Sequence, residues 1–107
     1  MARAAMLVLT TCASSEEADG LATSLVDARH AACVNRIGNV RSTYRWQGAV
    51  QSDEEVLLLI KTTEERLGAV QRTIEERSSH ELPEFLAVRV ETGSTGYLDW
   101  LARAVTD

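Results

Sequence analysis

Residues that staple, bend or ligate are scarce in this sequence. There are two cysteines, one proline, two histidines, two tryptophans, two tyrosines and a single phenylalanine. Cys12 and Cys33 make no paired metal motif, and without an export signal they are expected to be free thiols. A disulfide framework and a zinc-ribbon site are thereby excluded. With Pro83 as the only proline, long uninterrupted elements are permitted everywhere else. Positive charge is also short: 11 Lys and Arg against 16 Asp and Glu give a formal net charge of −5. No basic stripe exists, so nucleic acid and anionic membranes are poor partners, and the global sign favours a cation. No apolar run approaches the length of a membrane span. Repeats, low-complexity tracts and linkers are missing too. The 107 residues therefore read as one domain, 1–107. The opening MARAAMLVLTTCASS has a short apolar run for a signal peptide and reads as a strand of the mature fold, so a cytoplasmic location is expected.

What is present is organised around Ala32 to Thr63. This stretch reads as two long antiparallel strands joined by a turn near Gln47-Gly48-Ala49. In the first arm Val40, Ser42, Tyr44 and Trp46 share one face, and Arg41, Thr43, Arg45 and Gln47 share the other, the period of a strand. Gly38-Asn39 marks a bulge. In the second arm Val56 to Ile60 is apolar on both faces, as in a strand covered on both sides.

Ahead of the hairpin, Ala4 to Thr11 reads as a first strand. Ser14 with Glu17 makes a capping box that opens a helix running to about Ala31. After the hairpin, Thr62 with Glu65 has the same capping spacing, and Leu67, Val70 and Ile74 line a second helix that stops at Ser78-Ser79. Phe85 to Val90 alternates as a fourth strand, Gly93 to Gly96 breaks it, and Tyr97 to Val105 is a last helix. The order strand, helix, strand, strand, helix, strand, helix is that of an α+β, ferredoxin-like βαββαβ sandwich with a long hairpin and an added C-terminal helix. Helices cover one face of such a sheet. A strand apolar on both sides would leave an exposed apolar patch, so the pattern implies that sheets of several copies pack together.

The ordered motifs resemble a known family. Ala32-Cys33-Val34-Asn35, Ser42-x-Tyr44-x-Trp46-x-Gly48, Glu55 before Leu58 and Lys61-Thr62-Thr63, Leu82-Pro83-Glu84 and Tyr97-Leu98-x-Trp100-Leu101 are similar to the CutA (CutA1) divalent-cation tolerance family across almost the whole chain. The resemblance implies a non-enzymatic homotrimer whose hairpins pair between chains, a shape like the PII signalling proteins, and a link to copper and other divalent cations without an organic cofactor. It implies no particular partner protein. One stretch departs: family members commonly carry a His-Pro-Tyr-like step before the Pro-Glu, whereas here Ser78 stands at the His and His80 at the Tyr. Cys33 matches the family's Ala-Cys position.

Two sets of residues stand out chemically. Cys33 is a candidate soft ligand for copper, and His80, in a loop beside Glu81 and Glu84, is a candidate borderline ligand. His30 sits late in the first helix, where an imidazole needs no function. Glu55 and Lys61, six apart on one strand, share a face; with Tyr44 and Trp46 they are expected to line an intersubunit cleft for a small anionic ligand, or else to form a structural ion pair there. An enzyme reading rests on Cys12, whose thiol near a helix start would have a lowered pKa. The loop Thr10 to Ser14 has neither glycine nor arginine to cradle a phosphate, which speaks against acylphosphatase-type chemistry.

Overall fold

A computed structural model describes residues 4–106; residues 1–3 and 107, the ends of the expected domain 1–107, lie outside the described part. The chain folds as strand β1 (Ala5–Cys12), helix α1 (Ser15–Asp27), strands β2 (Cys33–Trp46) and β3 (Ala49–Thr63), a 3-10 turn (Glu64–Arg66), helix α2 (Leu67–Arg77), strand β4 (Leu86–Arg89) and helix α3 (Thr95–Ala104). The sheet order is β2-β3-β1-β4, antiparallel at every pairing. This is the expected ferredoxin-like α+β sandwich.

Local chemistry sets the ends of the elements. Ser14 Oγ accepts from the Glu17 N–H at 3.1 Å, and the Glu17 carboxylate reaches back to the Ala13 N–H at 3.4 Å, a capping box shifted by one residue. Helix α1 ends at Asp27, short of the expected Ala31. Arg29 enters the left-handed region (φ 62°), and the His30 and Ala31 N–H groups both turn back to the Leu25 carbonyl. His30 therefore lies in a turn, not in the helix. Thr62 does not cap α2: it is a buried residue of β3 whose hydroxyl donates to the His30 carbonyl at 2.7 Å, and the 3-10 turn intervenes. Strand β4 is shorter than expected, and α3 begins at Thr95, ahead of Gly96.

Register separates the two faces of the sheet. Val8, Thr10 and Cys12 of β1 lie opposite Ile60, Leu58 and Val56 of β3. These six are buried, and Ala18, Leu21 and Leu25 of α1 with Val70 and Ile74 of α2 close the core over this face. On the other face Leu9 lies between Leu59 and Leu86, Leu7 opposite Val88, and Leu57 between Thr11 and Ile37. Helix α3 covers only one end of that face, where Leu101 and Val105 bury Ala5 and Ala32. The rest is uncovered: Leu86 is 61 % and Val88 51 % exposed, and Leu57 and Leu59 are half-buried. Past the last β1 pairing, Cys12 with Val56, the β2–β3 hairpin pairs only with itself, from Val40/Glu55 to Trp46/Ala49. Asn39 (φ 60°) sits in the bulge between Ile37 and Val40. This projecting arm gives the molecule its long axis, 47 × 25 × 23 Å.

Candidate functional site

A cleft of about 590 Å³ opens at the base of the projecting arm. Ser42, Thr43, Tyr44 and Trp46 come from β2, Glu55 from β3, Thr11 from β1, and His80, Glu81, Leu82 and Glu84 from the loop after α2. The strand residues fall there because Glu55 stands opposite Val40, so the alternating set Ser42, Tyr44 and Trp46 shares its face. The loop is tied from two sides. Thr10 Oγ1 donates to the Glu84 carbonyl at 2.6 Å, and the Ser79 N–H donates to Glu17 Oε1 at 3.2 Å. The His80 N–H donates to Ser78 Oγ at 3.1 Å. Held in this way, His80 Nε2 lies 2.9 Å from Glu55 Oε2. That approach is off the ring N–H axis, and the buried nitrogen has no hydrogen-bond partner. The Glu55 side chain is only 10 % exposed.

Negative charge accumulates in the cleft. Burial pushes the Glu84 carboxyl above its ordinary value, Glu55 nearby pushes it further, and His80 partly opposes both. Tyr44 donates its hydroxyl to Asp53, and that bond, with a little desolvation and the carboxylate charges, raises the phenol above its usual range. Among the described residues no lysine or arginine lines the cleft.

Of the residues singled out in the sequence, Tyr44, Trp46, Glu55 and His80 meet here. Cys33 and Lys61 do not. They pair with each other across β2 and β3, six strand residues or about 20 Å from Glu55. There the Lys61 ammonium lies 5.7 Å from the centre of the Tyr97 ring, which is itself tilted against Trp100. Lys61 and Glu55 share a face, as their spacing requires, yet the strand is long enough to keep them apart. Among the described residues no three His, Cys, Asp or Glu side chains converge as a metal-holding group, and His80, Glu81 and Glu84 are no exception. The contact between His80 and Glu55 spans 25 residues of sequence and has no local signal, nor has the arrival of Thr11 from β1; Ser42 shares the alternating face of Tyr44 and Trp46.

Cys12 does not have a lowered pKa. It is buried beneath α1 and α2, and desolvation, then the charge of Glu17 and its hydrogen bond, push the thiol up to about 12. A thiol in that state is a poor nucleophile at neutral pH, which removes the main support for catalysis.

A four-stranded antiparallel sheet with a helical layer on one face, a long projecting hairpin and an acidic cleft at its base define an α+β domain of ferredoxin-like class. The CutA1 divalent ion tolerance protein family matches residues 6–104, and the chain belongs to that family. A divalent-cation tolerance protein CutA of Thermus thermophilus is 41 % identical over 95 residues, covering 89 % of this chain and 92 % of that one. Human protein CutA is 37 % identical over 97 residues, covering 91 % of this chain but 54 % of the relative. The solved structure of CutA1 from Oryza sativa superposes with a TM-score of 0.93 at 34 % identity, covering 96 % of this chain and 94 % of that one. CutA from Xylella fastidiosa gives the same TM-score and identity over 95 % and 98 %. No helix among the described residues is long and apolar enough to cross a membrane.

Proposed function

We propose that this protein acts in divalent-cation tolerance as a homotrimer that catalyses no reaction and binds copper or another divalent cation weakly. The observation that carries the assembly is the uncovered sheet face of Leu9, Leu57, Leu59, Leu86 and Val88. A contiguous apolar patch of this kind is covered in a stable soluble protein, and copies of the same sheet are the simplest cover. The cation reading rests on family membership together with the donors present. Glu55 and His80 offer one carboxylate oxygen and one imidazole nitrogen, and Cys33 offers a separate half-buried thiol. One chain thus supplies a two-donor position and a one-donor position, which fits a weakly held ion and not a tight centre. The two free cysteines suit a reducing compartment such as the cytoplasm.

The test is titration of purified protein with Cu(I) and Cu(II), with oligomeric mass recorded on the same samples. Saturable binding that is lost in His80→Ala or Cys33→Ser, at unchanged trimer mass, supports the reading and locates the ion. Binding unaltered by both substitutions removes both residues from it.

A second reading is favoured by the size of the cleft, which at about 590 Å³ is in the range of small-molecule sites. In this reading the protein is a PII-like trimeric binding module, its cleft lying between subunits and holding a small molecule, with metal effects indirect.

A further inference from the structure

The wall of the cleft that carries His80 is not held by the elements it joins. Between the end of α2 at Arg77 and the start of β4 at Leu86 the chain has no regular structure, and Glu81 and Leu82 within it are exposed. Phe85, half-buried against the core, anchors only the far end. A loop with so little buried apolar surface takes its position from polar contacts. Among the described residues three such contacts reach it from outside α2. Glu55 Oε2 lies 2.9 Å from His80 Nε2, Glu17 Oε1 accepts from the Ser79 N–H at 3.2 Å, and Thr10 Oγ1 donates to the Glu84 carbonyl at 2.6 Å. The first belongs to the site itself. We infer that the other two make Glu17 and Thr10 positioning residues of the cleft, which set the loop so that the imidazole of His80 meets Glu55. This rests on the reading of Glu55 and His80 as a two-donor position for a cation, and adds to it two residues that touch no ion. All three contacts lie within one chain, so they hold whatever a second copy brings to the cleft.

The chemistry of each residue exceeds what its own element asks of it. Capping α1 occupies one oxygen of Glu17, with Oε2 accepting from the Ala13 N–H at 3.4 Å. The other oxygen is turned to Ser79, 62 residues along the chain. The carboxylate is fixed in turn, because the Cys12 thiol donates to it from the core. It thus receives donors from the end of β1, from the entry to α1 and from the loop. Thr10 is buried among apolar side chains, between the pairs Val8 with Ile60 and Cys12 with Val56, where valine would fill the same space. Valine would lack only the hydroxyl, and that hydroxyl donates to Glu84. Thr10 stands just before the β1–α1 connection and Glu17 just after it. One short segment therefore places the loop on both sides of His80, at Ser79 and at Glu84.

The two histidines provide the test. His30 lies outside the cleft, its carbonyl bonded to Thr62 and its ring beside Thr73, and serves as the internal reference. The experiment is proton–carbon correlation NMR of the histidine rings of the full chain at one fixed pH, for the parent, Glu17→Ala, Glu17→Gln and Thr10→Val, with Cu(II) titration of the same samples. The His80 ring resonances are expected to shift in Glu17→Ala and Thr10→Val while those of His30 stay in place. Glu17→Gln removes the same charge but keeps an acceptor oxygen for Ser79, and is expected to restore the parental His80 position. Cu(II) binding is expected to weaken about tenfold in Glu17→Ala, the worth of one hydrogen bond to a charged group. Thr10→Val has no part in the helix cap and keeps the test open should Glu17→Ala lose its fold. His80 resonances unmoved in both variants overturn the inference. His80 and His30 resonances that move together overturn it in favour of a general loosening of the fold, and failure of Glu17→Gln to restore His80 overturns it in favour of a charge effect. A parent chain that binds no Cu(II) removes the cation reading alone, and the ring resonances still decide whether Glu17 and Thr10 place His80.

Discussion

Glu84 is where sequence and structure diverge most usefully at the scale of a residue. In the sequence it is one carboxylate of a polar loop beside Pro83. In the fold its carbonyl is held by Thr10 while its side chain is drawn into a cleft already occupied by Glu55. Its pKa is raised from the ordinary 4.5, chiefly by desolvation and then by that neighbour. The sign of the consequence follows from proton linkage. Between the ordinary value and the raised one, the folded state holds more proton than the unfolded chain, so this group makes stability fall as pH climbs through that window. Above the window the full cost persists; below the ordinary value it vanishes. Glu84→Gln is therefore expected to be more stable than the parent at pH 7, with the advantage disappearing as the pH is taken below the carboxylate range. Urea unfolding from pH 4 to pH 7 reads this directly, and parallel pH profiles for the two proteins would rule it out.

Elements were legible where a short-range rule governs them. Alternation in β2, apolar character on both faces of β3, the bulge at Gly38-Asn39 and the Ser14 cap all depend on neighbours within a few residues, and each lies where its pattern placed it. The end of α1 was not legible, because Arg29 in the left-handed region is a costly choice that only the tertiary fold enforces. Thr62 shows the same limit from the other side: good capping spacing with Glu65 lost to burial in the sheet and a bond to His30. The site was half legible for a geometric reason. Alternation put Tyr44, Trp46 and Glu55 together, but facing parity says nothing about distance, so Lys61 was grouped with a cleft it does not reach. At the same scale the hairpin turn yields a prediction. Gln47 (φ 51°) and Gly48 (φ 82°) form the two-residue connection, and a Cβ on Gly48 would meet no atom within 4 Å. Gly48→Ala thus tests backbone strain without a steric clash. It is expected to cost about 1 kcal/mol of stability while leaving the circular-dichroism spectrum unchanged. A neutral substitution would mean that the turn is not under the conformational demand its dihedral angles imply.

For the whole molecule the open question is what covers the second face of the sheet. Helix α3 protects the end holding Ala5 and Ala32 and stops short of Leu9, Leu57 and Leu59. The projecting hairpin adds an arm whose outer strand, β2, has a free edge, and unpaired edges of this length invite another chain. In the proposed trimer the apolar face and free edge would link folding to assembly, so that the stability of one chain would depend on its copies. Leu59→Asp places a charge in the centre of the uncovered face, where it faces Leu9 and Asn35 rather than the helical core. In a free monomer this position is half-buried and the change costs little. In an assembly it buries an unpaired carboxylate at each contact, which is worth several kcal/mol. Light scattering is therefore expected to show the parent as a trimer at micromolar concentration and Leu59→Asp as a monomer or an unfolded chain, with a concentration-dependent melting temperature only for the parent. If the parent itself scatters as a stable monomer, the sheet face is tolerated open, and both the trimer and a cleft formed between subunits fall with it.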